Sequence, residues 1–130
     1  MEPDIAAVIE AYPSHLRERL MQLRALIQET AAETIGVGPL EETLKWGEVS
    51  YLTSASGSGT TVRIGRDKRS GQPAMFVNCQ TDLLSRYRAL YPDGFGYDGD
   101  RGVILGEAPD QDALKHMIAL ALTYHARKSR

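Results

Sequence analysis

The chain has 130 residues, and its 15 Lys and Arg against 17 Asp and Glu give a formal net charge of −2. This near balance excludes a protein that binds nucleic acid or an anionic membrane through an excess of positive charge alone. A hydrophobic content of 42% with 25% charged residues is typical of a globular protein and excludes a chain that is mainly disordered. The length predicts one domain over residues 1–130.

The first part of the chain predicts two helices. A short apolar segment from Ile5 to Glu10 ends at Tyr12-Pro13, because the residue before a proline disfavours helical backbone. Ser14 is then placed to cap a second helix. Apolar residues recur at helical spacing along it and form one stripe: Leu16, Leu20, Leu23, Ile27 and Ala31. We expect this stripe to pack on the core.

From residue 42 to residue 105 the pattern is typical of strands joined by hairpins, with short runs of Val, Ile, Thr and aromatic residues between glycine clusters. We predict about five strands: Thr43–Trp46, Val49–Ser54, Thr60–Arg66, Ala74–Cys79 and Gly102–Leu105. The loop 54–59, rich in serine and glycine, is interpreted as a hairpin tip. Alternation of apolar and polar residues around Val62 and Ile64 predicts a sheet that is covered mainly on one face.

The remaining elements are helical. Leu84, Tyr87 and Tyr91 mark one side of a third helix that ends at Pro92, and residues 93–100 read as a glycine-rich loop. The last helix begins near Pro109-Asp110 and continues to a basic end. The order predicts an α+β fold, a two-layer sandwich in which an antiparallel sheet packs with N-terminal and C-terminal helices.

The location of the protein is predicted from what the chain lacks. A single cysteine cannot form an internal disulfide, and the first residues lack the basic start and apolar stretch of a secretory signal. The longest apolar run, 117–122, is far shorter than the roughly 20 residues of a membrane helix. We therefore expect a cytoplasmic protein with no membrane partner.

Signatures of metal binding are missing. His116 and His125 are nine residues apart on the last helix and so fall on opposite sides, and no histidine has the spacing of a zinc ligand. We expect His125 to be partly buried on the apolar stripe and His116 to be exposed. The acidic residues of loop 93–100 are interpreted as turn residues. No metal site and no cofactor are predicted.

Cys79 has two interpretations. It closes an apolar strand, which favours a buried structural thiol. It also precedes a capped helix, where a thiolate becomes more reactive, so a nucleophile is the alternative. Neither a nucleotide-cradling loop nor a serine-nucleophile elbow is present. We therefore predict that the protein is not an enzyme, while chemistry by Cys79, or by Glu42 with Lys45, stays open as a third possibility.

The segment from Glu42 to Tyr51 concentrates aromatic and charged residues around one glycine, Gly47. Trp46 and Tyr51 with Lys45 nearby are typical of a pocket that stacks a planar ligand and fixes its polar edge. The alternative is a half-buried aromatic corner in which the glycine lets two strands turn or bulge. We favour this structural interpretation, because an indole rarely lies wholly in solvent.

The residues Glu42-Thr-Leu-Lys45-Trp46-Gly47-x-x-x-Tyr51 resemble the signature of the YdhG-like family of bacterial domains of unknown function. The resemblance covers essentially the whole chain, through four further segments: the leucine-rich helix 16–27, and 76–81, 87–92 and 118–125. It implies a single α+β domain with no established reaction. One branch of the family includes a protein regarded as a frataxin-like iron chaperone, which implies iron binding on exposed carboxylates as a further possibility.

Together these observations predict a cytoplasmic binding or accessory domain that holds a small molecule or a protein partner. Its predicted site combines the signature residues with Arg63 of the next strand: Glu42, Lys45, Trp46, Gly47, Tyr51 and Arg63. We expect no nucleic-acid partner and a monomer or homodimer. The alternative function is a frataxin-like iron-binding chaperone for iron–sulfur cluster assembly, using Glu41, Glu42 and Glu48.

Overall fold

The computed structural model of the protein describes residues 1–128. Its helices are α1 (Pro3–Glu10), α2 (Ser14–Glu33), α3 (Leu83–Leu90), α4 (Gln111–Leu122) and α5 (Tyr124–Lys128). Its strands are β1 (Glu41–Lys45), β2 (Glu48–Leu52), β3 (Val62–Arg66), β4 (Pro73–Phe76), β5 (Gly96–Asp98) and β6 (Gly102–Ile104). The strands form one antiparallel sheet in the order β1-β2-β3-β4-β6-β5. The α+β prediction is confirmed.

Successive residues of a strand point to opposite faces of the sheet, so the register separates two rows of side chains. One row crosses all six strands: Leu44, Val49, Ile64, Met75, Val103 and Tyr97. These residues belong to or pack against the hydrophobic core, together with the apolar stripe of α2 and buried residues of α4. The helices therefore cover this face, as the alternation in β3 predicted.

The neighbouring row lies on the opposite face, which we call the open face. It also crosses all six strands: Thr43, Ser50, Arg63, Phe76, Gly102 and Asp98. None of these residues is part of the hydrophobic core of the described chain. The open face thus carries polar and charged groups around a single aromatic ring, that of Phe76.

Several local predictions need correction. The sheet has six strands and not five, because residues 96–98 of the expected glycine-rich loop pair with β6. Three residues are too few to show the alternation that marks a strand in a sequence. The last helix is interrupted at Thr123, so that α4 and α5 are separate. Ser14 is the first residue of α2, and no side chain caps that helix end.

The loop between β2 and β3 does more than connect a hairpin, since it closes the end of α4. The hydroxyl of Ser58 donates to the carbonyl of Leu122 at 2.7 Å, and the backbone N–H of Thr60 donates to the carbonyl of Ala121 at 3.0 Å. Carbonyls at a helix end have no partner within the helix. The β2–β3 loop therefore stabilises the interruption between α4 and α5.

None of the helices within residues 1–128 is both long enough and apolar enough to cross a membrane.

Candidate functional site

The sheet divides the predicted site residues between two surfaces. Glu42 pairs with Tyr51 on the helix-covered side, where Tyr51 is fully buried. Lys45 and Arg63 are at positions of the open face, and Trp46 lies at the hairpin tip between β1 and β2. Trp46 and Tyr51 therefore do not form one patch. Lys45, Trp46 and Arg63 do come together, because all three line one cavity.

Glu42 and Tyr51 take part in a hydrogen-bonded network with Arg24 of α2. The guanidinium of Arg24 donates from Nε to Glu42 Oε2 at 2.6 Å and from Nη2 to Oε1 at 3.1 Å. The hydroxyl of Tyr51 donates to the same Oε2 at 2.7 Å. Burial raises the pKa of Glu42, but the bonds from Arg24 and Tyr51 outweigh it and leave this pKa below its ordinary value. The network ties α2 to the first hairpin.

Trp46 and Gly47 are the two central residues of the β1–β2 turn, flanked by the pair Lys45 and Glu48. Both have positive φ, 56° for Trp46 and 76° for Gly47, as a type I′ turn requires. A non-glycine residue in this region is strained by about 1 kcal/mol or more. Trp46 as a residue is 90% exposed. The expectation of a half-buried aromatic corner is therefore wrong for Trp46, whereas the turn at Gly47 is confirmed.

A cavity of about 300 Å³ opens on the open face beside Trp46, and we call it the cationic cavity. It is lined by Lys45, Trp46, Thr61, Arg63, Val77, Asn78, Cys79 and Arg101. This lining contains three cationic side chains and no carboxylate. Within residues 1–128, none of the three cations forms an ion pair. The cavity therefore concentrates positive charge that the described chain does not neutralise.

A second cavity of about 490 Å³ adjoins the first, since Trp46 and Arg101 line both. We call it the mixed cavity, because acidic, basic and aromatic residues line it: Tyr12, Trp46, Glu48, Arg66, Asp67, Lys68, Arg69, Phe76, Asp98 and Arg101. The guanidinium of Arg101 lies 5.5 Å from the centre of the Phe76 ring, within cation–π range. Trp46 and Arg101 thus form the boundary between two chemically different surfaces.

Cys79 is exposed in the structure, so the prediction of a buried structural thiol is wrong. Its strand ends earlier than expected, at Phe76, which leaves the thiol on the rim of the cationic cavity. His125 is also exposed, contrary to expectation, because the break at Thr123 turns it away from the stripe of α4. His116 is exposed as predicted.

The three carboxylates of the iron hypothesis do not converge. Glu42 is engaged by Arg24 and Tyr51, and Glu41 accepts a hydrogen bond from Ser54 at 2.5 Å. Glu48 is on the opposite face from Glu42 and lines the mixed cavity. Within residues 1–128, no group of three or more His, Cys, Asp or Glu side chains is placed to hold a metal ion. The positions of these three carboxylates therefore do not support that hypothesis.

Comparison of the chain with models of protein families, with curated proteins and with solved structures gives no match. The resemblance to the YdhG-like family therefore stays a prediction. The assignment of a site depends on the geometry of this chain alone.

Sequence reasoning missed three residues that matter here. Arg101 and Asn78 enter the cationic cavity from the loops beside β6 and β4. Arg24 is one of several charged residues of α2, and nothing in the sequence marks it as the partner of Glu42. No local pattern marks these positions, because each is brought to its place by sheet order or by packing between elements. Only the basic character of Arg101 in an otherwise acidic loop was a visible signal.

Proposed function

We propose that the protein is a binding domain, and not an enzyme, that holds a small anionic ligand in the cationic cavity beside Trp46. This proposal keeps Lys45, Trp46, Gly47 and Arg63 from the predicted site. We assign a structural role to Glu42 and Tyr51, because both are hydrogen-bonded within the network with Arg24. The cytoplasmic location and the family membership predicted from the sequence belong to the same proposal.

The charge of the cationic cavity is the observation that carries the proposal. Lys45, Arg63 and Arg101 line it without a carboxylate and without an ion pair in the described chain, although the whole protein has a net charge of −2. Like charges gathered in a recess repel one another, and a bound anion removes that repulsion. Arginine and lysine bind carboxylate and phosphate groups through charge-assisted hydrogen bonds.

The conformation of Trp46 supports a binding role as well. An indole that contributed to the core would compensate for the strained turn, but this one is 90% exposed. Backbone strain in a residue that contributes no packing is typical of functional sites. Because Trp46 is the only tryptophan of the chain, its fluorescence reports directly on events at the cavity.

We expect inorganic phosphate, sulfate and benzoate, added one at a time, to change the fluorescence of Trp46, with at least one saturating. Arg63→Gln should weaken binding about tenfold, because a hydrogen bond to a charged group contributes about 1.5–3 kcal/mol. Arg86→Gln is the matched control, since Arg86 makes the same charge change from an exposed position on α3 that lines neither cavity. Equal affinities for the two variants would contradict the proposal.

Substitution of Trp46 separates its binding role from its structural role. Trp46→Gly should leave the protein equally stable or up to about 1 kcal/mol more stable, because glycine relieves the positive φ. The same variant should lose affinity for an aromatic anion such as benzoate, measured by calorimetry. Trp46→Ala keeps the backbone strain and so should be the less stable of the two. A large loss of stability in Trp46→Gly would assign the indole to the fold instead.

A further inference from the structure

We propose that the ligand of this site is a phosphomonoester carried on a planar nitrogen heterocycle. The phosphate group lies in the cationic cavity, and the ring stacks on Trp46 and extends toward the mixed cavity. This inference rests on the function proposed above and names the chemical class of its ligand. It follows from the cationic cavity, from Trp46 and from the carboxylates of the mixed cavity.

The cationic cavity suits a dianion better than a single carboxylate. Arg63 and Arg101 each present a planar fork of donors, and Lys45 adds a third positive charge. The same lining contains the amide of Asn78 and the hydroxyl of Thr61, which are neutral donors. A phosphomonoester at neutral pH carries a charge between about −1.5 and −2 and three terminal oxygens. Its charge and its acceptors match this set of donors.

Trp46 provides the surface on which the heterocycle of the ligand stacks. Its indole belongs to the walls of both cavities, and the described chain leaves 90% of it exposed. A planar group attached to the phosphate can therefore lie against the indole without displacing another side chain. Tyr12 and Phe76 add aromatic surface to the mixed cavity on the far side. Stacking between a ring and an exposed indole is favourable for any flat heterocycle.

The carboxylates of the mixed cavity indicate that the ring carries N–H donors. Glu48 and Asp98 line this cavity, and within residues 1–128 neither carboxylate accepts a hydrogen bond or forms an ion pair. Arg66, Lys68 and Arg69 line the same cavity, so its charge alone does not select against an anion. The two carboxylates add acceptors, and an amino-substituted ring offers them hydrogen bonds. The cationic cavity thus offers positive charge without a carboxylate, and the mixed cavity adds carboxylate acceptors for a donor-bearing ring.

The experiment compares one complete probe with its two fragments. Adenosine 5′-monophosphate should bind at least tenfold more tightly than either adenosine or inorganic phosphate, because each fragment keeps only one of the two contacts. Cyclic adenosine 3′,5′-monophosphate has the same ring and one negative charge fewer. We expect it to bind about tenfold more weakly than the monophosphate. Affinities are measured by calorimetry, which does not depend on Trp46 fluorescence.

Variants assign each part of the probe to its cavity. Arg63→Gln should weaken monophosphate binding about tenfold, toward the affinity for adenosine, and Trp46→Gly should weaken it toward the affinity for phosphate. The control Arg86→Gln should change neither. Monophosphate affinity that is insensitive to Trp46→Gly while Arg63→Gln still weakens it would overturn this inference.

The outcomes distinguish this inference from the function on which it rests. Phosphate alone that binds as tightly as the monophosphate, with both weakened by Arg63→Gln, would support the anion site. It would contradict the proposal that a ring stacks on Trp46. Binding of another anion, such as benzoate, through Arg63, without binding of the monophosphate, would also support the anion site. It would contradict the assignment of the ligand to the phosphomonoesters. If no anion binds in an Arg63-dependent way, both proposals are wrong.

Discussion

Replacing Gly59 by alanine is expected to lower the free energy of unfolding by about 3 kcal/mol, at the upper end of the usual cost of overpacking. A Cβ atom at this position would lie 2.5 Å from Cα of Leu122 and closer still to its carbonyl group. The obstruction is backbone at the end of α4, and it cannot be relieved by a change of side-chain rotamer. The melting temperature should fall by roughly 10 °C.

The loop is held too firmly to move aside. The backbone N–H of Gly59 donates to the hydroxyl oxygen of Thr53 at 2.9 Å, and the N–H of Thr60 donates to the carbonyl of Ala121 at 3.0 Å. On the far side, the N–H of Ala126 donates to the carbonyl of Ser58 at 2.9 Å. A shift of the loop that makes room for a methyl group at Gly59 would therefore stretch these bonds. Overpacking and weakened hydrogen bonds therefore both lower the free energy of unfolding.

Gly57→Ala provides the control within the same loop. Gly57 has a φ of 67°, and a Cβ there would meet nothing within 4 Å. Its cost should be limited to backbone strain, about 1 kcal/mol. Denaturant unfolding of both variants followed by circular dichroism measures the difference. Similar losses for the two variants would show that close contact between the loop and α4 does not limit stability.

The elements that the sequence predicted well are those specified by local patterns. The stripe that includes Leu16 and Ile27 lies buried on α2, because a period of 3.6 residues is visible within one segment. Asp110 caps α4 by accepting from the N–H of Ala113 at 3.0 Å, near the helix start that was expected. Arg63 is on the open face as the alternation in β3 implied. Each of these signals is contained in fewer than about 20 residues.

The candidate site was harder to predict, because it depends on how distant segments meet. A two-residue turn between β1 and β2 fixes the register in which Glu42 faces Tyr51, and that pairing places both on the helix side, away from Lys45. A one-residue bulge at the turn would have moved Tyr51 to the other face, away from Glu42. The exposure of Trp46 was missed for a different reason. Residue type predicts average burial, and the exposed Trp46 departs from that average.

Glu42→Gln is expected to destabilise the fold by about 2 kcal/mol at neutral pH, between the values for exposed and fully buried ion pairs. The side chains of Arg24 and Glu42 are only 19% and 15% exposed. Glutamine keeps the shape of the glutamate side chain but leaves the guanidinium of Arg24 without a counter-charge. Tyr51→Phe removes a single hydrogen bond from the same network, and its cost should be smaller, about 1 kcal/mol.

The pH dependence of this effect distinguishes charge from packing. Because the pKa of Glu42 in the folded protein lies below its ordinary value of 4.5, the ionised network stabilises the fold fully above that pH. The contribution is lost as the pH falls through the lowered pKa, where the protonated carboxyl group becomes neutral like glutamine. The difference in unfolding free energy between the parent protein and Glu42→Gln should therefore shrink toward zero in acid, while the cost of Gly59→Ala persists. A difference that stayed constant from neutral pH down to the onset of acid unfolding would mean that Glu42 acts through shape, and that water screens the charge of Arg24.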